Sequence, residues 1–218
     1  MPQVFPPSSN TLAKASIFGA GFLIIFLIYA LTTFVRSPFT TKVNVPIEQP
    51  VPFSHEHHLN FGIDCRYCHK SVETSSFADI PPIETCMTCH SQIWLDSPVL
   101  APVRNSYQNK VPLQWTRVND LPDYVYFNHS IHVNKGFGCE TCHGRVDQMP
   151  LTWKANTLYM SWCLNCHWNP AKYIRPKDQV FTMGYKPPQD QITMGNQLIK
   201  EYKIHSPSYL DDCYICHR

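Results

Sequence analysis

The longest apolar run in the chain is Ser16–Val35, which carries no charge and is bracketed by Lys14 and Arg36. At helical rise such a run spans about 30 Å, the hydrocarbon thickness of a bilayer. A cleaved signal sequence would have an apolar core of about 7–15 residues followed by a small-residue site, and Phe34-Val35-Arg36-Ser37-Pro38 offers none. The pattern predicts a retained single-pass transmembrane helix over 16–36 with a cytoplasmic tail at 1–15. Downstream the apolar pattern breaks up. Residues 37–52, proline-rich with alternating Val43, Val45 and Ile47, read as an extended tether. Gln191–Lys203 predicts a late helix, with Ile192, Leu198, Ile199 and Tyr202 at roughly helical spacing. Elsewhere 19 prolines argue against long helices and continuous sheet.

A second pattern is a duplication. Phe53-Ser54-His55-Glu56-His57-His58 precedes Cys65 as Phe127-Asn128-His129-Ser130-Ile131-His132 precedes Cys139, both as Phe-x-His-x-x-His-x6-Cys. Repetition at fixed spacing points to repeated structural units. We divide the remainder into a module at 53–90, a linker at 91–126, a second module at 127–167 and a C-terminal arm at 168–218.

The chemistry resides in five C-x-x-C-H runs, which use all ten cysteines: Cys65, Cys68 and His69; Cys86, Cys89 and His90; Cys139, Cys142 and His143; Cys163, Cys166 and His167; and Cys213, Cys216 and His217. This spacing is the attachment signal for c-type haem. Residues i, i+3 and i+4 share a helical face, so two thiols and one imidazole can meet one flat ring. Zinc knuckles close at four ligands, and five three-ligand runs pair badly. A disulfide framework explains neither the spacing nor the following histidine. The expectation is five covalently bound haem c groups, with His69, His90, His143, His167 and His217 proximal to iron.

Low-spin electron-transfer haem has both axial positions filled, and each module supplies two further imidazoles. Histidines at i and i+3 leave one side of a helix but diverge, so His55, His58, His129 and His132 are assigned as distal ligands to four different irons. His57 aligns with Ile131 in the second copy and reads as surface. The fifth distal ligand is open among His205, Met149 and Met160; a thioether would raise the reduction potential. Lys172, Arg175 and Lys177 read either as partners of haem propionates or as a solvated face.

Composition narrows the rest. The 218 residues carry a net charge of +2 with 16% charged side chains, so no basic field argues for nucleic acid. The fold class expected is one N-terminal transmembrane helix followed by a haem-packed, mostly irregular multihaem cytochrome c domain with short α-helices and little β. Because c-type haem is attached outside an energy-coupling membrane, everything after Val35 is expected on the periplasmic side of the bacterial inner membrane.

The single anchor, the cytochrome c7-type modules, the linker Trp115–Ser130 and the lead-in Met160-Ser161-Trp162-Cys163 resemble the pentahaem cytochrome subunit of alternative complex III; the multihaem subunit of the quinone reductase complex of sulfate reducers is a relative. The resemblance implies an electron-transfer subunit rather than a catalyst alone, relaying electrons from quinol-oxidising polytopic membrane subunits to a soluble carrier or oxidase. It also implies an iron–sulfur/molybdopterin-like subunit and a monohaem cytochrome c as neighbours, and one His/Met haem, which favours Met160 or Met149 over His205. Two other readings are an anchored multihaem quinol dehydrogenase of nitrate/nitrite-type respiration and a multihaem reductase with an open iron.

Overall fold

The computed structural model describes residues 4–217 and divides the chain into two compact units, one ending at Lys42 and one beginning at Val43. In the first, α1 (Ser8–Arg36) has no buried residue. It is long and apolar enough to cross a membrane and begins earlier than the uncharged run, taking Lys14 into its first turns. It stops before Pro38, which disfavours the helical conformation in Ser37; the Ser37 N–H and hydroxyl both donate to the Phe34 carbonyl (3.1 and 2.7 Å). A single turn, α2 (Pro38–Thr41), follows.

The second unit is built of short helices, and among the described residues its extended segments form only isolated bridges rather than a sheet. Those bridges change the picture of the segment expected to be a tether. Val43 and Pro46 pair with Lys154 and Trp153, the Asn44 N–H donates to the Lys154 carbonyl (2.8 Å), and the Gln49 amide donates to the Thr116 carbonyl (2.8 Å). Their backbone groups find partners, so the segment is held against the unit.

Each duplicated Phe-x-His-x-x-His run forms a six-residue helix, α3 (His55–Asn60) and α7 (His129–Asn134). Ser54 and Asn128 cap them, their side chains accepting from the His57 and Ile131 N–H groups. All five C-x-x-C-H runs sit on helical turns: α4 (Cys65–Cys68), α5 (Ile83–His90), α8 (Cys139–His143), α9 (Met160–Trp168) and α12 (Cys213–Cys216). The expected linker contains a helix that the sequence pattern did not announce, α6 (Ala101–Asn109). The late helix α10 (Gln191–Glu201) lies where periodicity put it, and α11 (Pro207–Leu210) precedes the last motif. Gly195 lets α10 approach the 3-10 turn Pro170–Lys172, since a Cβ there would run into the Ala171 backbone.

The protein's own core is small. Val51, Leu100 and Val103 bury one cluster with Met87 and Trp115 against it. Val72, Val133 and Val180 form another, which ties the first module, the second module and the arm together around Cys139.

Candidate functional site

The histidines meet in opposed pairs. Ring centroids of His55 and His69 are 6.5 Å apart with planes at 11°, and those of His129 and His143 are 6.3 Å apart at 10°. His58 faces His90 at 6.2 Å and 73°, and His132 faces His167 at 6.3 Å and 24°. Two imidazoles on opposite faces of one metal, each at a metal–nitrogen distance of about 2 Å, require a centroid separation of roughly 6 Å. Among the described residues no three or more His, Cys, Asp or Glu side chains form a group of the kind that holds a bare ion.

The phenylalanine of the duplicated run explains why the pairs repeat so closely. Phe53 stacks on His58 (4.5 Å) and sets its edge against His55 (4.9 Å, 88°). Phe127 does the same to His132 (4.5 Å) and His129 (4.8 Å, 89°). One ring thereby fixes two imidazoles in each copy.

Second-atom contacts set the tautomer. Nδ1 of His58, His69, His90, His129, His132, His167 and His217 donates to the carbonyls of Ser54, Asp79, Ile93, Ser76, Asn128, Leu210 and Tyr124 at 2.7–3.2 Å. A carbonyl only accepts, so Nδ1 carries the proton and Nε2 keeps its lone pair for a metal. Two rings use side chains instead: His55 Nδ1 lies 2.8 Å from Thr152 Oγ1, and His143 Nδ1 lies 3.0 Å from the Asn119 amide. Asn119 Oδ1 is buried without a partner as placed. With that oxygen turned to the ring, the two amide positions being interchangeable, His143 adopts the same tautomer as the other seven. None of these anchors except the motif neighbours is visible as a pattern in the sequence.

Burial holds two imidazoles neutral and therefore able to ligate. Desolvation first, then the neighbouring His69 and His143, pushes His55 down to about 4; desolvation first, then His129 and His69, pushes His143 down to about 4. His132 is also lowered, chiefly by burial.

No disulfide joins any of the ten cysteines, and they differ in shelter. Cys89 of the second motif and Cys213 of the fifth are exposed, whereas Cys65, Cys68, Cys86, Cys139, Cys142, Cys163, Cys166 and Cys216 are half-buried. Cys89 keeps its place on the motif turn of α5, and the Thr88 hydroxyl lies 3.8 Å from its Sγ. Cys65 and Cys139 of the first and third motifs lie against each other. Burial, then Cys166 and Cys163, pushes the Cys142 thiol up to about 12. Burial, then Cys216, pushes Cys163 up. A cavity of about 1030 Å³, lined among others by Cys65, Cys68, His69, Cys139, Cys142 and His143, runs between the modules. It exceeds the 300–1,000 Å³ usual for a single small ligand. Cysteine pairs outside any disulfide, opposed imidazoles presenting Nε2 and an apolar cavity between them fit covalent haem.

His217 has Tyr124 as its ring neighbour (5.7 Å), and His205 stacks on Tyr209 (4.2 Å). Met149 is 2% exposed and packs beside Gly144, whereas Met160 opens α9 and is 66% exposed. His57 is exposed. Arg175 is not on a solvated face: it is 4% exposed, pairs with Glu140 (3.1 Å) and stacks on Tyr185 (4.4 Å). Glu140 in turn accepts from the Gly184 and Tyr185 N–H groups (2.6 and 3.0 Å), tying the arm to the third motif.

Residues 33–99 match the class III cytochrome c family. That stretch contains the first two C-x-x-C-H motifs with His55 and His58. A c-type match implies covalent haem c. The chain is also 32% identical over 123 residues, 56% of its length, to the menaquinone reductase multihaem cytochrome c subunit of Nitratidesulfovibrio vulgaris (strain Hildenborough). It spans about half of that relative, 55% of its length. Over its first module, then, the chain matches the class III cytochromes c, and over a longer stretch it is homologous to a multihaem cytochrome subunit.

Proposed function

We propose that the chain is a membrane-anchored five-haem c-type cytochrome that relays electrons from a quinol-oxidising membrane complex, of the alternative complex III type, to a carrier or oxidase on the outer face of the membrane. The observation that carries this reading is the set of four opposed imidazole pairs at 6.2–6.5 Å, each uniting a motif histidine with one from the duplicated run. On this reading His69/His55, His90/His58, His143/His129 and His167/His132 are the axial pairs. Bound haem supplies one-electron ferric/ferrous chemistry. The chain's own residues hold it, fix its ligand planes and keep water from its faces.

Met160 is assigned opposite His217. It lies one turn before Cys163 on α9, and the Cys163 thiol is near enough to Cys216 of the last motif to be shifted by it. Met149 is buried beside the third motif, and His205 is engaged with Tyr209.

Side-chain bridges suggest the order of the sites. Tyr67 and Thr88 join motifs one and two (2.9 Å), Thr152 and Ser76 join the modules, Asn156 joins the lead-in of motif four to the Cys142 carbonyl (2.8 Å), and Trp168 donates to Asp211 beside motif five (3.0 Å). The sites would run two, one, three, four, five, with motifs two and five at the ends. In this reading α1 anchors the chain, and its neighbours are polytopic quinol-oxidising subunits, an iron–sulfur/molybdopterin-like subunit and a monohaem cytochrome c.

Intact-mass analysis should find five added haem groups. Native separation of gently solubilised membranes, stained for covalent haem, should place the chain in a large quinol-oxidising assembly. Fewer than five additions, or migration alone with quinol activity, would defeat the reading.

A further inference from the structure

The two modules are equivalent in sequence yet not self-contained. In each, the second histidine of the run is anchored by its own cap residue: His58 Nδ1 donates to the Ser54 carbonyl (2.7 Å) and His132 Nδ1 to the Asn128 carbonyl (2.8 Å). The first histidine is anchored by the other module. His129 Nδ1 donates to the Ser76 carbonyl (2.9 Å), on the loop behind motif one. His55 Nδ1 lies 2.8 Å from Thr152 Oγ1, on the loop behind motif three. Backbone bonds reinforce the exchange: the His129 and Ser130 N–H groups donate to the Ser76 and Ser75 carbonyls (both 3.1 Å), and the Asn134 amide donates to the Glu73 carbonyl (2.7 Å).

We infer that Thr152 is a positioning residue for the His55 site, and that the loop behind each module's first motif orients and tunes the first histidine of the other module. The inference rests on the haem reading above. His55 is partly buried, with the edge contact of Phe53 on one side and the opposed His69 ring on another. An imidazole that donates its Nδ1–H to a hydroxyl oxygen becomes a better electron donor through Nε2, which favours the more highly charged iron. Removing that oxygen therefore raises the reduction potential of one site and loosens the plane of one ligand. In the reciprocal contact the acceptor is a backbone carbonyl that no substitution deletes, so Thr152 is the half of the clasp open to mutation. The sequence shows Thr152 only as a loop residue 97 positions from its partner.

The test is an equilibrium redox titration of the haem-loaded full-length chain in its membrane complex, followed by low-temperature electron paramagnetic resonance. Thr152→Val, which keeps the shape and removes the hydroxyl, should shift one midpoint upward and alter one low-spin signal while the other sites stay in place. Thr152→Ser should restore both. If the valine variant does not accumulate, Thr152→Ala read against Thr152→Ser supplies the same comparison. Unmoved midpoints with a full haem complement, or a serine variant indistinguishable from valine, would overturn the positioning role alone. Absence of covalent haem from the parent chain would overturn the haem reading, and this inference with it.

Discussion

The two modules share their inner geometry and differ at their outer pairs. His55–His69 and His129–His143 are nearly superimposable, with planes at 11° and 10°, whereas His58–His90 is twisted to 73° and His132–His167 only to 24°. The inner pairs lie at the clasp between modules, where a cross-module hydrogen bond holds His55 and His129, and Asp79 and Asn119 hold the facing His69 and His143. The outer pairs depend on connectors of different length, His69 to Cys86 and His143 to Cys163, and on different surroundings: His90 lies beside the exposed Trp94, whereas His167 is tied to α11 through Leu210. Duplicated sequence thus preserves geometry within the duplicated run and at the clasp, and loses it at the outer pairs.

The largest test of that contrast removes haem attachment at the centre and at the end. Cys139→Ala with Cys142→Ala strips the third site, and Cys139 packs in the cluster of Val72, Val133 and Val180. We expect loss of one haem and a several-fold fall in accumulated protein, as follows from a destabilisation of about 1–2 kcal/mol or more. Cys213→Ala with Cys216→Ala strips the last site, where Cys213 is exposed. There one haem should be lost and the level kept, read by intact mass and haem-stained gels.

Next in size, Phe53→Ala and Phe127→Ala should cost about 2 kcal/mol each, below the 3–5 kcal/mol of a fully buried phenylalanine because both are partly exposed. Thermal unfolding should rank them equal, since their ring contacts match within 0.1 Å. A large inequality would break the equivalence of the modules.

A smaller effect concerns acid. Between the ordinary imidazole value of 6.5 and about 4, His55 and His143 stay neutral in the fold but are protonated in the unfolded chain. The unfolded state then binds more protons, so their contribution is complete above 6.5 and declines as pH falls through that window. Denaturant titrations at pH 7 and pH 5 should show the loss.

The smallest test perturbs nothing. Ligand-plane angle governs the splitting of low-spin ferric iron, so the site of the 73° pair should give a resonance spectrum unlike those of the three more nearly parallel pairs. Four identical bis-histidine signals would contradict the twist.

Much of the site was legible because its chemistry is local. C-x-x-C-H places its three groups on one turn wherever that turn forms, and the Phe-x-His-x-x-His run carries its own cap and its own stacking ring. The apolar run at Ser16–Val35 likewise needs no partner to declare a helix. What the sequence could not show is long-range. Periodicity gives no sign that residues 43–49 pair with 153–154 and Thr116, that Arg175 is buried on Glu140, or that the supposed linker folds α6 over Val51. Nor does a motif reveal its own shelter: Cys89 and Cys142 hold the same place in identical spacings, yet one is exposed and the other is not. Which histidine faces which, and how each ring is turned, also waited on tertiary structure, because hydrogen-bond partners such as Thr152, Ser76 and Asn119 are ordinary polar residues far away in the chain. Spacing along a helix determines what groups are offered to an iron; only packing between segments brings two of them to opposite faces of one position, because that distance is set by contacts no single segment contains.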